Sequence, residues 1–418
     1  MGLQLVFGVN KSLLFSVMNN LSYKILDKFI FIILIILISG ASILSDFNES
    51  LIVVLLFLII VSNYKKIIYD KIVFFIILFW VFINLFSSIN NPTAFSSDEF
   101  FGIIIRVLIS YLGIKIVGDS FWIKFENIIY RLVLISLPIY LLNLVLPELF
   151  NSLSPIFKPI TSQIFYRKEV QANYWYSFFY TNLGRDEIRN SGFMWEPGAF
   201  AMMIIIALII NCLNNGIGLQ KKIFIYILAL ITTMSTTGYL SLLVLLLAFF
   251  IYKNKKYFII ILLPIIILFG FTFTSTSFLG PKISMFLEEY ESNTFYEQGY
   301  SDRLEANRIL YFSLCVDKSL KYPFGYGVLK DEESLIKAIK IVGVNGLGEV
   351  LISWGWFGII FLVVSIYKFC RSIYFNFFIS FLLSLTILLS FFSNPIERNI
   401  ILFLIVLTPF TIKNTKFS

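Results

Sequence analysis

The sequence predicts an all-α fold: a polytopic transmembrane helical bundle of about twelve spans with two large outward-facing loops. Three observations predict it. Of 418 residues, 58% are hydrophobic and 14% charged, far more apolar surface than a soluble core needs, so the bilayer is the expected solvent. The apolar residues gather into stretches of crossing length, since a hydrocarbon core of ~30 Å takes about 20 helical residues. Lys and Arg fall in alternate connections between those stretches.

The stretches run roughly 29–45, 50–63, 72–89, 100–117, 128–146, 198–213, 222–235, 238–252, 257–274, 350–368, 373–393 and 398–412. Those at 50–63 and 222–235 are short, and are expected to tilt, insert halfway or borrow polar neighbours. Cationic connections resist translocation. The set holding Lys11, Lys24, Lys28, Lys65, Lys66, Lys71, Lys115, Lys124, Arg131, Lys221, Lys222, Lys253, Lys255, Lys256, Lys368, Arg371, Lys413 and Lys416 is therefore placed in the cytoplasm. The alternate short connections, near Asp46, Asn90, Ser235 and Asn394, hold only Arg398. Both termini are then expected in the cytoplasm, with no cleavable leader before the first span. Residues 1–418 read as one integral membrane domain, with a first large outward loop at 147–197 and a second at 275–349.

Composition also narrows the chemistry. The chain has no His, which removes the commonest general base and metal ligand. Cys212, Cys315 and Cys370 form no metal spacing and read as packing residues. The net charge of +8 is dispersed between spans, so it orients them, and no nucleic-acid partner is expected. No DxD pair occurs, which argues against a divalent cation and a nucleotide sugar; no metal and no cofactor are predicted. No fixed-period or inverted repeat is evident.

Candidate chemistry lies in the two loops. The first closes on Arg185, Asp186, Glu187 and Arg189, then Ser191-Gly192-Phe193-Met194-Trp195-Glu196-Pro197, leading into the span at 198–213. Pro197 suits a first helical position and Glu196 the positive end of the helix dipole. Glu196 as a helix cap with arginines at lipid headgroups is the plain reading; the sharper one is an anion site, because guanidinium donates bidentate bonds to a diphosphate. In the second loop, Ser301-Asp302-Arg303-Leu304-Glu305 reads as a capped helix start carrying Asn307 and Arg308. Pro323-Phe324-Gly325-Tyr326-Gly327 is a turn where glycines permit close backbone approach. Asn345-Gly346-Leu347-Gly348-Glu349 leads into the span at 350–368. Arg106 sits inside the span at 100–117, about 9 Å from its outward end at 1.5 Å per residue, where it snorkels or serves a site. The aromatics Phe165, Tyr166, Tyr174, Trp175, Tyr176, Phe178, Phe179 and Tyr180 suggest a membrane-interface belt, with sugar stacking as the alternative. Residues 331–342 have the spacing of an amphipathic helix.

Taken in order, these features resemble the O-antigen polymerase and O-antigen ligase family of bacterial membrane glycosyltransferases. The resemblance rests on Arg189-Asn190-Ser191-Gly192 through Glu196-Pro197, on Ser301-Asp302-Arg303, on Pro323 to Gly327, and on Asn345 to Gly348 followed by Trp354-Gly355-Trp356-Phe357-Gly358. It implies a metal-independent enzyme of the inner membrane that transfers glycans from undecaprenyl diphosphate to an acceptor hydroxyl at the periplasmic face. Ligases of the family carry a His in the later loop; here Asn345 and Glu349 stand at that place, which favours a polymerase, with lipid-linked repeat units as donor and acceptor. A chain-length-regulating co-polymerase is an implied partner beside membrane lipid.

Physical chemistry assigns roles within that expectation. The acceptor hydroxyl must lose a proton and the lipid diphosphate must leave with its charge held. Arg189 and Arg303 are assigned to the diphosphate, with Arg106 as a third and Arg308 and Arg185 beside them. Glu196 is the first choice of general base, Asp302 and Glu349 the reserve, and a carboxylate that instead orients the arginines is the alternative. Gly192, Asn307, Gly325, Gly327 and Asn345 complete the substrate loops. A flippase or other transporter predicts ionisable groups near the bilayer midplane and modest loops, which this sequence lacks. A ligase and a non-catalytic assembly protein are the other rivals.

Overall fold

The computed structural model describes residues 30–42, 71–90, 97–161, 173–184, 188–215, 220–253, 308–327, 345–373, 376–392, 394, 396 and 399–411. It is mostly helical: α1 (Ile30–Ser39), α2 (Lys71–Asn90), α3 (Ser97–Val117), α4 (Phe121–Val145), two short helices α5 (Pro147–Ser152) and α6 (Ser154–Phe157), α7 (Pro197–Asn215), α8 (Lys221–Thr232), α9 (Thr236–Lys253), α10 (Arg308–Lys321), α11 (Gly346–Ile373), α12 (Phe377–Phe392) and α13 (Ile400–Thr411). Two stretches among the described residues are long and apolar enough to cross a membrane, Phe100–Val145 with 46 residues and Gly346–Ser372 with 27. The first joins α3 to α4 through a tight turn in which Gly118 has φ 69°, a conformation glycine adopts without steric cost. The predicted stretches at 50–63 and 257–274, and the amphipathic segment at 331–342, lie outside the described residues.

The core forms around α7. Every residue from Ala199 to Ile210 is 2% exposed or less, because α4, α8, α9 and α12 pack around this helix. Apolar residues all round a helix leave no face for water, so burial on every side is the expected outcome. Other helices keep an apolar face open: Phe75, Leu78 and Phe82 on α2, and Leu134, Ile135, Leu141, Leu142 and Val145 on α4. That is more exposed apolar surface than a soluble monomer usually shows.

The first loop departs from the all-α expectation. Trp175–Ser177 (β1) and Tyr180–Asn182 (β2) pair antiparallel, Tyr176 opposite Thr181, with Phe178 and Phe179 in the turn. The hairpin sits on α5 and α6: Trp175 Nε1 donates to the Phe150 carbonyl at 2.6 Å, and its ring stacks on Phe157 at 4.8 Å. Tyr174, Trp175, Tyr176 and Tyr180 are all buried, and Phe178 and Phe179 are exposed; Phe165 and Tyr166 lie outside the described residues. For these four the interface-belt reading is corrected: Trp175 and Tyr180, on one face of the hairpin, join Phe150 and Tyr140 in a small core of their own, and Tyr176, on the other face, packs into the main core. Burial pushes the Tyr176 phenol up to about 12, with the Ser39 hydroxyl bond opposing; Tyr180 also rises to about 12 by burial, against a bond to Asn143.

The second loop contributes α10 and the turn after it, and that turn enters a break in α11. Gly355 interrupts α11 with φ 66° and ψ −165°. The amides of Tyr326 and Gly327 donate to the Ile352 and Ser353 carbonyls at 2.7 and 3.0 Å, and the Trp356 amide donates to the Pro323 carbonyl at 2.8 Å. The break therefore leaves few backbone groups unpaired, which irregular backbone inside a packed helix requires.

Candidate functional site

Two helix starts, those of α7 and α11, meet at Asn394 after the loop that ends at Pro197. Glu196 immediately precedes α7, and its carbonyl accepts the Phe200 amide at 3.1 Å. The Trp195 amide donates a hydrogen bond to the Ser39 carbonyl at 3.2 Å, and its indole covers Gly40 so closely that a Cβ there would lie 2.9 Å from the ring. Gly192 (φ 49°) lies under Phe200, 2.5 Å from where its own Cβ would be, so no larger residue fits. The Glu196 side chain is half-buried beside Gly198; a Cβ on Gly198 would lie 3.7 Å from Glu196 Oε1 and 3.0 Å from Asn394 Oδ1.

Asn394 links this loop to the start of α11. It is fully buried, its Nδ2 donates to the Ser390 carbonyl at 2.9 Å, and Gly346 packs against its backbone carbonyl with no room for a side chain. Asn345 caps α11: its Oδ1 accepts the Gly348 amide at 2.8 Å and its Nδ2 donates to the Arg308 carbonyl at 3.0 Å, which ties α10 to α11. Glu349, 8% exposed, follows in the first turn. Glu196 and Glu349 thus each stand at the positive end of a long helix, where a negative charge is favoured by roughly 0.3–1 kcal/mol. Glu349 lies beside Cys315, whose thiol is pushed up first by burial and then by that carboxylate, so the thiol stays protonated at neutral pH.

Arg189 is committed locally. Its Nε donates to the Thr233 carbonyl at 3.0 Å and its Nη2 to the Met234 carbonyl at 2.8 Å. The Asn190 amide takes the Thr232 carbonyl at 3.0 Å, and the Tyr239 hydroxyl takes that of Ile231 at 2.8 Å. These donors meet the carbonyls that the C-terminal end of α8 leaves without helical partners, and Met234 turns the chain away with φ 49°. The guanidinium at this negative end of the helix dipole is electrostatically well placed.

The structure therefore brings the starts of α7 and α11 together at Asn394, with Glu196 beside Gly198, ties Asn345 to the Arg308 carbonyl and Glu349 to Cys315, and puts Arg189 on the end of α8 eight residues before α7 in the same loop. It sets Gly325 and Gly327 against the α11 break instead. Arg106 lies half-buried on α3, alongside Gly102, between residues Ile104 and Val107 that line an apolar groove with Trp80, Trp354 and Phe403. Arg185, Asp302, Arg303 and Asn307 lie outside the described residues. Sequence reasoning missed the role of Asn394; the Asn394-Pro395 pair between two apolar runs was its one signal. No group of three or more His, Cys, Asp or Glu that could hold a metal occurs among the described residues.

Fold and site define a helix-rich protein with membrane-length helices, whose candidate polar groups gather where long helices begin. Comparison with known proteins finds no matching family model, curated sequence or solved structure.

Proposed function

We propose that this chain polymerises undecaprenyl-diphosphate-linked oligosaccharide units into O-antigen or a related surface polysaccharide at the periplasmic face of a bacterial inner membrane. In this reading about twelve spans cross the bilayer, both termini are cytoplasmic and the two large loops face outward. The observation that supports it is that the starts of α7 and α11, which follow the two large loops and carry Glu196 and Glu349, both pack against Asn394 through Gly198 and Gly346. Glu196 is the general base, since Glu349 is nearly closed off by its burial beside Cys315. The acceptor hydroxyl gives its proton to Glu196 as its oxygen bonds the anomeric carbon, and the bond from that carbon to the lipid diphosphate breaks with the electron pair on the diphosphate. Arg303, with Arg189 and Arg106, holds the charge that leaves; this is stabilisation by preorganised donors.

The test is the Arg303→Ala variant in a deletion host. The protein should insert, yet surface glycan should shrink to single repeat units on core lipid. Polymer of normal length would overturn the diphosphate clamp. Deletion of the protein should give the same single units; absence of all glycan on lipid A with accumulated lipid-linked polymer would mark a ligase instead.

A further inference from the structure

The exposed stripe of α4 does not end with the helix. Leu134, Ile135, Leu141, Leu142 and Val145 (75% exposed) recur at helical spacing, and the chain continues the apolar surface through Leu146, Leu149 and Ile156 (67%). Helices α5 and α6, each with a proline in its first two residues, turn Phe150 and Phe157 inward onto Trp175 and leave Leu149 and Ile156 outward. The hairpin they carry exposes Phe178 and Phe179 (48%) in its turn, where water-facing hairpins place Gly, Asn or Asp. Loops in water invert this pattern, with polar residues outward.

We infer that α5, α6 and the hairpin tip rest in the interfacial layer of the outer leaflet, with phospholipid as the partner. This rests on the membrane reading proposed above. Lipid is the occupant because the surface is continuous with the α4 stripe, and Leu149 and Ile156 offer a sugar neither a stacking face nor a hydrogen bond. Exposed Lys158, at the end of α6, supplies a cation at headgroup level. The hairpin's own core reaches Tyr140 on α4 and Ile188, next to Arg189, so the platform couples the leaflet surface to the candidate site.

Nitroxide labels on Ile156→Cys and Phe179→Cys, in liposomes of phosphatidylethanolamine and phosphatidylglycerol, test this. Cys212, Cys315 and Cys370 are buried, so the unsubstituted protein is the control for background labelling. Phe75→Cys on the exposed face of α2 is the lipid reference. Oxygen should relax both labels faster than a water-soluble nickel chelate does, as at position 75. Nickel-dominated relaxation at 156 and 179 beside an oxygen-dominated 75 would overturn the interfacial platform alone. Nickel dominance at all three would overturn the membrane reading as well.

Discussion

Arg189 shows how one side chain can support a fold and a site at once. Its two bonds to the Thr233 and Met234 carbonyls are charge-assisted, and removing the guanidinium strands both acceptors in a half-buried place. Arg189→Ala should lower stability by about 3 kcal/mol, and Arg189→Lys by less, since an ammonium reaches one carbonyl but lacks the fork. Thermal unfolding of the purified protein in detergent checks the order; equal midpoints for wild type and Arg189→Ala would show that the cap contributes nothing. Loss of polymer in Arg189→Ala consequently has to be read per folded molecule. Arg303 gives the cleaner test of charge on the diphosphate.

At the scale of elements, the break in α11 depends on glycine twice over. Gly355 has φ 66°, and a Cβ there would run into the Pro323 carbonyl and lie 2.5 Å from the Gly325 amide nitrogen. Gly355→Ala should therefore cost about 3 kcal/mol or more through strain and expulsion of the turn. Gly102→Ala, in α3 with only Arg106 Nη1 at 3.9 Å from the added methyl, should be neutral or stabilising by up to about 1 kcal/mol. Urea unfolding of the two variants separates them, and equal effects would refute the lock. The sequence displayed the apolar runs of α2, α3 and α7 plainly, because burial or lipid exposure along a helix writes itself into composition. It concealed the break, since Trp354-Gly355-Trp356 reads as the start of a span and the partner turn lies some thirty residues earlier. The hairpin was hidden because Phe178-Phe179 carries no turn residue. The bonds of Arg189 to the end of α8 were hidden because its carbonyl partners are 44 and 45 residues away, a distance no local pattern spans.

On the whole-molecule scale, α7 is a central pillar held at both ends. Its 19 residues span about 28 Å, close to the ~30 Å of a hydrocarbon core. At its start stand Trp195 on Gly40 and Glu196 beside Asn394. Near its end, Asn211 joins a buried cluster in which the Glu126 carboxylate of α4 accepts Lys222 Nζ at 2.9 Å, the Tyr226 hydroxyl at 2.8 Å and Asn211 Nδ2 at 3.3 Å. Lys222 also bonds Asn127 at 2.9 Å and stands 5.0 Å over the Tyr130 ring, so α4, α7 and α8 share one polar knot. Removing Glu126 leaves Lys222, 28% exposed, without its carboxylate and strands the buried Tyr226 hydroxyl and Asn211 amide, at about 1–3 kcal/mol. Glu126→Leu should thus unfold at markedly lower temperature, and adding Lys222→Met should recover part of the loss. Because the knot lies at the far end of the pillar from Glu196, polymer length per folded molecule should stay at the wild-type value in both variants. Shortened polymer from folded Glu126→Leu would show instead that the two ends of α7 are coupled, and would move the knot from scaffold to mechanism.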